Sequence, residues 1–169
     1  SVVMPAYNAE AYIEEAVRSV QEQTMTDWEL IVIDDCSTDH TGAIVEKLAE
    51  RDDRIRFIKN AENMGVARTR NKGLELFRGK YVALLDSDDY WKSRFLEKMI
   101  ARAEETEADI TYCAYEMAGE DGKKVCNDFL VPPQTDFEQS IVRSVITCST
   151  VLVTAALAES HRFPTNLYH

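Results

Sequence analysis

The stretch YVALLDSDDY, residues 81–90, joins a run of apolar residues directly to a cluster of acids. The composition of YVALLD (81–86) predicts a strand in the interior of a sheet. Three carboxylates, Asp86, Asp88 and Asp89, lie within four residues at its end, in a chain whose formal net charge is already −11. Because these carboxylates repel one another, we expect a positively charged partner, such as a divalent cation, at this point.

Similar apolar runs recur along the chain and alternate with helical patterns. Apart from 81–86, strands are predicted over 1–4, 28–34, 55–59 and 109–115, and helices over about 9–23, 39–48, 65–77 and 93–105. Continuous apolar strands that alternate with helices are typical of a mostly parallel sheet covered by helices on both faces. The sequence therefore predicts an α/β fold.

The alternation changes after residue 115. GEDGKK (119–124) is a turn signal and predicts a β-hairpin insertion. The pattern then predicts a helix over 136–146, and a strand that leads into a helix over 148–157. No internal repeat, low-complexity tract or linker divides the chain, so we expect one domain over residues 1–169.

The overall composition excludes several function classes. The 30 Asp and Glu residues outnumber the 19 Lys and Arg residues, which argues against a nucleic-acid-binding groove. The four cysteines are not spaced as C-x-x-C, so zinc and redox motifs are absent and reduced thiols of a cytosolic protein are expected. No apolar run is long enough to span a membrane. The chain begins at Ser1 inside a predicted strand, and we expect targeting signals to lie outside it.

Polar segments follow three of the predicted strands: PAYN (5–8), DDCSTD (34–39) and DSDD (86–89). In open α/β sheets, ligands bind beyond the carboxyl ends of the strands. If the three strands are parallel, these segments meet at one edge of the sheet. We therefore predict a ligand site there, although each motif alone is a weak signal.

The D-x-D spacing in DSDD places two carboxylates on one side of an extended turn. Hard divalent cations bind oxygen ligands, often one or two carboxylates together with the phosphates of a ligand. Alternatively, Asp88 or Asp89 caps the helix that follows. That alternative does not explain Asp86, which is predicted to lie on the strand.

The other two segments have comparable alternatives. Asp39 is expected to be a turn and cap residue, whereas Asp35 lies at the rim of the sheet and could accept hydrogen bonds from the N–H edge of a base. Tyr7 could stack on a nucleobase, although a packing role at the next helix is the simpler interpretation of it alone.

Three cations, Arg68, Arg70 and Lys72, lie in the predicted helix within NMGVARTRNKG (63–73). They could help to hold phosphate groups, or they could form a solvated helix face. For Arg70 and Lys72, a place on the solvated face is about as probable as phosphate binding. For Arg68 it is less probable, so Arg68 is the stronger candidate for the site.

Residues 1–41, NMGVARTRNKG (63–73) and GKYVALLDSDDYW (79–91) together resemble the nucleotide-binding half of family 2 glycosyltransferases with the Rossmann-like GT-A fold. The likeness covers residues 1 to about 100, and STVLVTAALAESHRF (149–163) resembles the later acceptor-side segment. The resemblance implies a nucleotide-binding half over 1–105 and the start of an acceptor half over 106–169, truncated at its C-terminus.

The resemblance implies that a sugar is transferred, with inversion, from a nucleotide-diphospho sugar to an acceptor hydroxyl in polysaccharide or glycan biosynthesis. The donor is expected to be a UDP-sugar. Asp35 would read the base edge, Asp86 would lie near the ribose, and Asp86 and Asp88 would hold Mg²⁺ or Mn²⁺ with the diphosphate. The expected donor-site residues are Pro5, Ala6, Tyr7, Asn8, Glu10, Asp35, Arg68, Asp86, Ser87 and Asp88.

The family's catalytic base is expected beyond His169, so the catalytic residue is left unassigned. The chain should then bind donor and metal but transfer sugar poorly or not at all. The expected acceptor is a glycan or a lipid-linked sugar, in the cytoplasm or at the cytoplasmic face of a membrane. Oligomeric state, including a homodimer, is left open.

Three rival functions remain to be weighed. A sugar nucleotidyltransferase typically carries a Gly-rich loop with basic residues after its first strand, and PAYNAEAY (5–12) has neither. A phospho-acceptor receiver domain would carry its acid pair after the first strand rather than after the second and fourth. A glycosyltransferase-like domain that binds a sugar nucleotide without transferring the sugar is compatible with every motif.

Overall fold

Residues 1–119, 123–126, 128–135 and 146–166 are described by the computed structural model. Within them, six strands form a single sheet in the order β3-β2-β1-β4-β6-β5. The strands are β1 (Val2–Ala6), β2 (Leu30–Asp34), β3 (Ile55–Lys59), β4 (Tyr81–Leu84), β5 (Ile110–Tyr112) and β6 (Val151–Thr154). The helices are α1 (Ile13–Gln21), α2 (Thr41–Ala49), α3 (Val66–Gly73), α4 (Phe95–Thr106) and α5 (Ala155–Ser160).

The central strands are parallel. β1 pairs in parallel with β2 on one side and with β4 on the other, and β2 pairs in parallel with β3. β6 is antiparallel to both of its neighbours, β4 and β5. The predicted mostly parallel α/β sheet is confirmed, and the carboxyl ends of β1, β2 and β4 lie at one edge.

Helices cover both faces of this sheet, as predicted. On one face, α1, α2 and α4 pack their apolar sides onto alternate strand residues such as Val2, Met4 and Val32. On the other face, a smaller cluster contains Val3 and Val82 together with residues from α5 and the end of α3. Full burial of such aliphatic side chains stabilises the fold by about 1.5–3 kcal/mol each.

Two predicted boundaries at the functional edge are wrong. β4 ends at Leu84, so Asp86 does not lie on the strand. The Leu85 N–H still donates to Val3 O, but the Asp86 N–H turns away to the Ser149 side chain. α4 begins at Phe95 and has no side-chain cap, which excludes helix capping as the role of Asp88 or Asp89.

α3 ends at Gly73, four residues earlier than predicted. The Glu75 N–H donates to Lys72 O and the Leu76 N–H donates to Gly73 O, so hydrogen bonds of the tighter i→i+3 type replace those of the α-helix. This early end turns the chain back towards the start of β4.

Beyond β5, the described residues agree with the structure predicted from the sequence. Antiparallel bridges join Tyr115 to Phe129 and Ala118 to Lys124, consistent with the predicted hairpin, whose turn residues 120–122 are outside the described residues. Most of the predicted helix over 136–146 also falls outside them. The predicted strand and helix start over 148–157 are confirmed as β6 and α5, preceded by a 3₁₀ turn at Cys148–Thr150.

Across the described part of the chain, the helices are all too short or too polar to cross a lipid bilayer.

Gly73 allows α3 to lie directly on the sheet. A Cβ atom at this position would overlap the Val3 side chain and lie 3.2 Å from Ile33 Cδ1. Because both neighbours are fully buried, we expect Gly73→Ala to lower the free energy of unfolding by about 1–3 kcal/mol through overpacking. Urea denaturation would measure the loss. Glu75→Ala, at an exposed position nearby, is the control and should change stability little; equal stability of the two variants would contradict this packing.

Candidate functional site

The segments that follow β1, β2 and β4 lie side by side. In the parallel register, Ala6 pairs with Asp34, and Val3 pairs with both Ile31 and Leu84. The predicted ligand segments 5–8, 34–39 and 86–89 are therefore neighbours at one edge of the sheet, as the strand pattern required.

The segment after β1 is bound tightly to the turn after β2. The Asn8 N–H donates to Ser37 Oγ at 2.9 Å, and the Thr38 N–H donates to Asn8 Oδ1 at 2.9 Å. Asn8 and Cys36 have φ values of 49° and 65°, in the left-handed region that few residues other than glycine adopt. These bonds hold both turns in a shape that their backbones would not adopt readily alone.

The side chains of the first segment differ in exposure. Pro5 and Ala6 are buried, so they can offer a ligand mainly backbone, whereas half of the Tyr7 surface is exposed. Glu10 accepts a hydrogen bond from the His40 N–H at 2.9 Å and contacts the His40 ring. These bonds lower the pKa of Glu10. Tyr7 is therefore free to stack on a ligand, while Glu10 already has a protein partner.

Asp35 is a buried carboxylate that organises the loop before α3. It accepts hydrogen bonds from Asn60 Nδ2 at 2.8 Å, from the Met64 N–H at 2.9 Å and from the Gly65 N–H at 2.8 Å. Burial alone would raise the pKa of Asp35, but these hydrogen bonds together lower it. The Thr69 side chain is a fourth hydrogen-bond partner of this carboxylate, so its roughly four acceptor sites are used within the protein.

Asp86 is paired with a cation from α3. Arg70 Nη2 lies 2.6 Å from Asp86 Oδ1, and the exposed fraction of the Arg70 side chain is 14%. The Asp86 backbone N–H donates to Ser149 Oγ at 3.0 Å, and the Trp91 indole N–H donates to Ser149 O at 2.7 Å. The turn that carries the D-x-D acids is thus held by α3 and by the 3₁₀ turn before β6.

Asp88 and Asp89 are the more open acids of the turn, next to Ser87. No hydrogen bond or ion pair within the described residues reaches the Asp88 carboxylate, which is exposed. Partial burial raises the pKa of Asp89, and the neighbouring charges of Asp88 and Asp86 raise it further. Negative charge therefore accumulates in this turn, and among the described residues Arg70 is the cation that forms an ion pair with it.

Sequence reasoning favoured Arg68 over Arg70, but the structure brings Arg70 to the acids. Arg68 lies exposed on α3, whereas Arg70 is next to the buried side of the helix. The buried residues of α3 are Thr69 and Gly73, two small residues in a strongly charged helix. Residues four apart lie on the same face of a helix, so this pair marks the face that packs on the sheet. Arg70 follows Thr69 directly and therefore borders that face, which the sequence could have shown.

The donor atoms of the D-x-D turn suit a hard divalent cation only in part. Among the described side chains, no group of three or more His, Cys, Asp and Glu residues is placed to hold a metal ion. Carboxylates such as Asp88 and the second oxygen of Asp86 are suitable ligands for Mg²⁺ or Mn²⁺, which commonly take one or two carboxylates and complete their shell with phosphate oxygens. The residues fit a cation that arrives with a phosphate ligand.

Comparison with known proteins identifies the family. A family model described as "Glycosyl transferase family 2" matches residues 1–130, which is most of the chain. The chain belongs to glycosyl transferase family 2. The resemblance inferred from the motifs at 5–8, 34–39 and 86–89 is therefore confirmed.

Two curated relatives cover most of this chain. TuaG of Bacillus subtilis (strain 168), a glycosyltransferase whose name assigns it to teichuronic acid biosynthesis, is 39% identical over 153 residues, or 90% of this chain. WfgD of Escherichia coli, named UDP-Glc:alpha-D-GlcNAc-diphosphoundecaprenol beta-1,3-glucosyltransferase, is 33% identical over 164 residues, or 97% of this chain. This chain spans 61% and 63% of the lengths of these two relatives.

Solved structures of the same fold include S. aureus TarS. Residues 1–349 of TarS in complex with UDP superpose with a TM-score of 0.81 at 29% identity, covering 98% of this chain and 50% of the TarS chain. The corresponding complex with UDP-GlcNAc gives a TM-score of 0.77. The six-stranded sheet with its flanking helices is therefore the GT-A arrangement that the sequence predicted.

The hydrogen bonds of Asp35 give a testable consequence. In Asp35→Asn, an amide N–H₂ replaces one acceptor oxygen and faces a backbone N–H of the loop, so a buried donor is left without a partner. We expect the free energy of unfolding to fall by about 1–3 kcal/mol and the Met64 and Gly65 amides to exchange faster with solvent. Urea denaturation and hydrogen exchange would measure both effects. Asp53→Asn, at an exposed position before β3, is the matched control; unchanged exchange at Met64 and Gly65 in Asp35→Asn would refute this organising role.

Proposed function

We propose that this chain binds a nucleotide-diphospho sugar, most simply a UDP-sugar, at the edge formed by 5–8, 34–39 and 86–89. The whole protein would then transfer the sugar, with inversion, to an acceptor hydroxyl in polysaccharide or glycan biosynthesis. The observation that carries this proposal is the exposed Asp88 carboxylate beside the Arg70–Asp86 pair, at the edge where two other polar segments converge. Within the described ranges, no hydrogen bond or ion pair reaches this carboxylate.

Each segment offers chemistry that suits one part of such a donor. The exposed Tyr7 ring could stack on a base. Asp35 would accept a base N–H in place of one of its protein donors. The backbone of Pro5 and Ala6 with the rigid Asn8 turn would form the wall of the base site, and Glu10 would line it from the α1 side. Arg68 and Ser87 remain proposed donor contacts at the margins of this site.

Asp86 and Asp88 would hold Mg²⁺ or Mn²⁺ together with the donor diphosphate. When bound, the cation supplies Lewis-acid stabilisation of the nucleoside diphosphate leaving group. Arg70 pairs with Asp86 at 2.6 Å, and its positive charge would help to stabilise the leaving group if the diphosphate binds beside Asp86 as proposed.

The acceptor hydroxyl needs a general base within about 3 Å of its proton. We assign the role of this base to no described residue.

The relatives support a lipid-linked or glycan acceptor. The name of WfgD specifies a sugar on diphosphoundecaprenol as acceptor and UDP-Glc as donor. An acceptor of that kind lies at a membrane surface, so we infer that this chain works in the cytoplasm, at the cytoplasmic face of a membrane. The free thiols of Cys36, Cys113, Cys126 and Cys148 fit such a reducing compartment.

Calorimetric titration of UDP, with and without Mn²⁺, tests the donor site directly. We expect UDP to bind the unmodified chain in the presence of Mn²⁺, and Asp88→Ala to weaken that binding by about tenfold or more, which corresponds to roughly 1.4 kcal/mol. The reason is that the free carboxylate is lost as a cation ligand.

Asp53→Ala is the matched control, because it removes one exposed carboxylate at the opposite edge of the sheet. It should bind UDP with the affinity of the unmodified chain. Equal affinities of all three proteins, or UDP binding that does not depend on Mn²⁺, would contradict the proposed role of Asp88. If UDP does not bind at all, titrations with GDP, CDP and dTDP would test whether a different nucleotide is the ligand.

A further inference from the structure

Asn71 makes an unusual pair of contacts with a residue far along the chain. Its side-chain Nδ2 donates to Phe163 O at 2.9 Å, and the Phe163 N–H donates to Asn71 Oδ1 at 2.8 Å. The Asn71 amide thus bonds both the N–H and the C=O of Phe163, as a residue on a neighbouring β-strand would do. The chain just after α5 is therefore fixed to α3, 92 residues earlier in the sequence.

The Phe163 ring lies next to the Arg70 guanidinium, which pairs with Asp86 of the D-x-D turn. Arg70 Cζ lies 5.5 Å from the centre of the Phe163 ring, within the range of a cation–π contact. Arg70 Nε is buried and has no hydrogen-bond partner in the described structure. The aromatic ring thus covers one part of the guanidinium, while Nη2 points to Asp86 at 2.6 Å.

Consecutive residues of one helix therefore hold two separate parts of the molecule. Arg70 holds Asp86 at the edge where the donor is proposed to bind, and Asn71 holds Phe163, in the segment that resembles the acceptor side of the family. A shift of Phe163 would remove the cover from Arg70. α3 therefore links the acceptor-side segment to the D-x-D acids through two neighbouring contacts, one made by Asn71 and one by Arg70.

We propose that Asn71 is a positioning residue: by seating Phe163 on Arg70, it holds Arg70 against Asp86 and so sets the orientation of the D-x-D acids for the donor. The functional part of this proposal rests on the proposed function, whereas the link between Asn71, Phe163 and Arg70 does not. If Asn71 served only to bond the Phe163 backbone, its removal would free the Phe163 amide, while core packing would keep the ring on Arg70 and leave Arg70 unaffected.

Solvent exchange of two protons in the ligand-free chain separates these roles. In Asn71→Ala, the Phe163 amide should exchange at least about tenfold faster, and the Arg70 Nε–H should also exchange severalfold faster, as measured by NMR. Glu75→Ala, an exposed position just beyond the end of α3, is the control and should leave both protons unchanged. Faster exchange at Phe163 with no change at Arg70 would overturn the proposal.

Asn71→Asp provides a rescue by pH. The new carboxylate still accepts from the Phe163 N–H but cannot donate to Phe163 O at neutral pH. As the pH falls and this carboxyl group takes up a proton, the donor returns, so protection of both protons should approach that of the unmodified chain at the same pH. Failure of Arg70 to recover together with Phe163 would contradict the link.

The affinity for UDP in the presence of Mn²⁺ tests the functional part. Loss of the cation–π contact should weaken UDP binding about two- to fivefold in Asn71→Ala, with no change in Glu75→Ala. Unchanged affinity in Asn71→Ala, with the unmodified chain binding normally, would reject the role in donor binding. An unmodified chain that does not bind UDP would count against the proposed function instead, and the exchange results would then decide the role of Asn71.

Discussion

The parallel pairing of β1 with β2 and with β4 is the constraint on which the rest of the molecule depends. It brings three chain segments that are distant in sequence to one edge of the sheet, each at the point where an apolar strand ends. β1 and β2 are buried along their whole length and β4 along most of it, so the polar segments that a ligand could reach lie beyond the strand ends. Fold and site therefore arise from the same pairing.

Charge is distributed unevenly along this edge. Asp35 is satisfied by the loop before α3, and Asp86 is satisfied by Arg70, so both acids help to hold the fold. Asp88 has no such partner among the described residues and is exposed. Because this exposed carboxylate adjoins two other acids, we propose that a cation which arrives with the donor binds there.

Much of this could be predicted from the sequence because local signals were strong. The apolar runs before PAYN, DDCSTD and DSDD predicted the strands, and their order predicted the shared edge. What could not be predicted depends on contacts distant in sequence. The insertion of β6 between β4 and β5 and the contact of Ser149 with Asp86 follow from packing that no local pattern records. The choice of Arg70 over Arg68 had a local signal in the spacing of Thr69 and Gly73, but the pairing of Arg70 with Asp86 depends on the same long-range packing.

The most direct test of this account is paramagnetic broadening of NMR signals by Mn²⁺ bound together with UDP. If the three strand ends form one donor site, the amides of Asn8, Ser37 and Ser87 should broaden together, while that of Asp53 at the opposite edge should remain sharp. Broadening of only one of the three segments, or broadening centred elsewhere on the chain, would contradict the account.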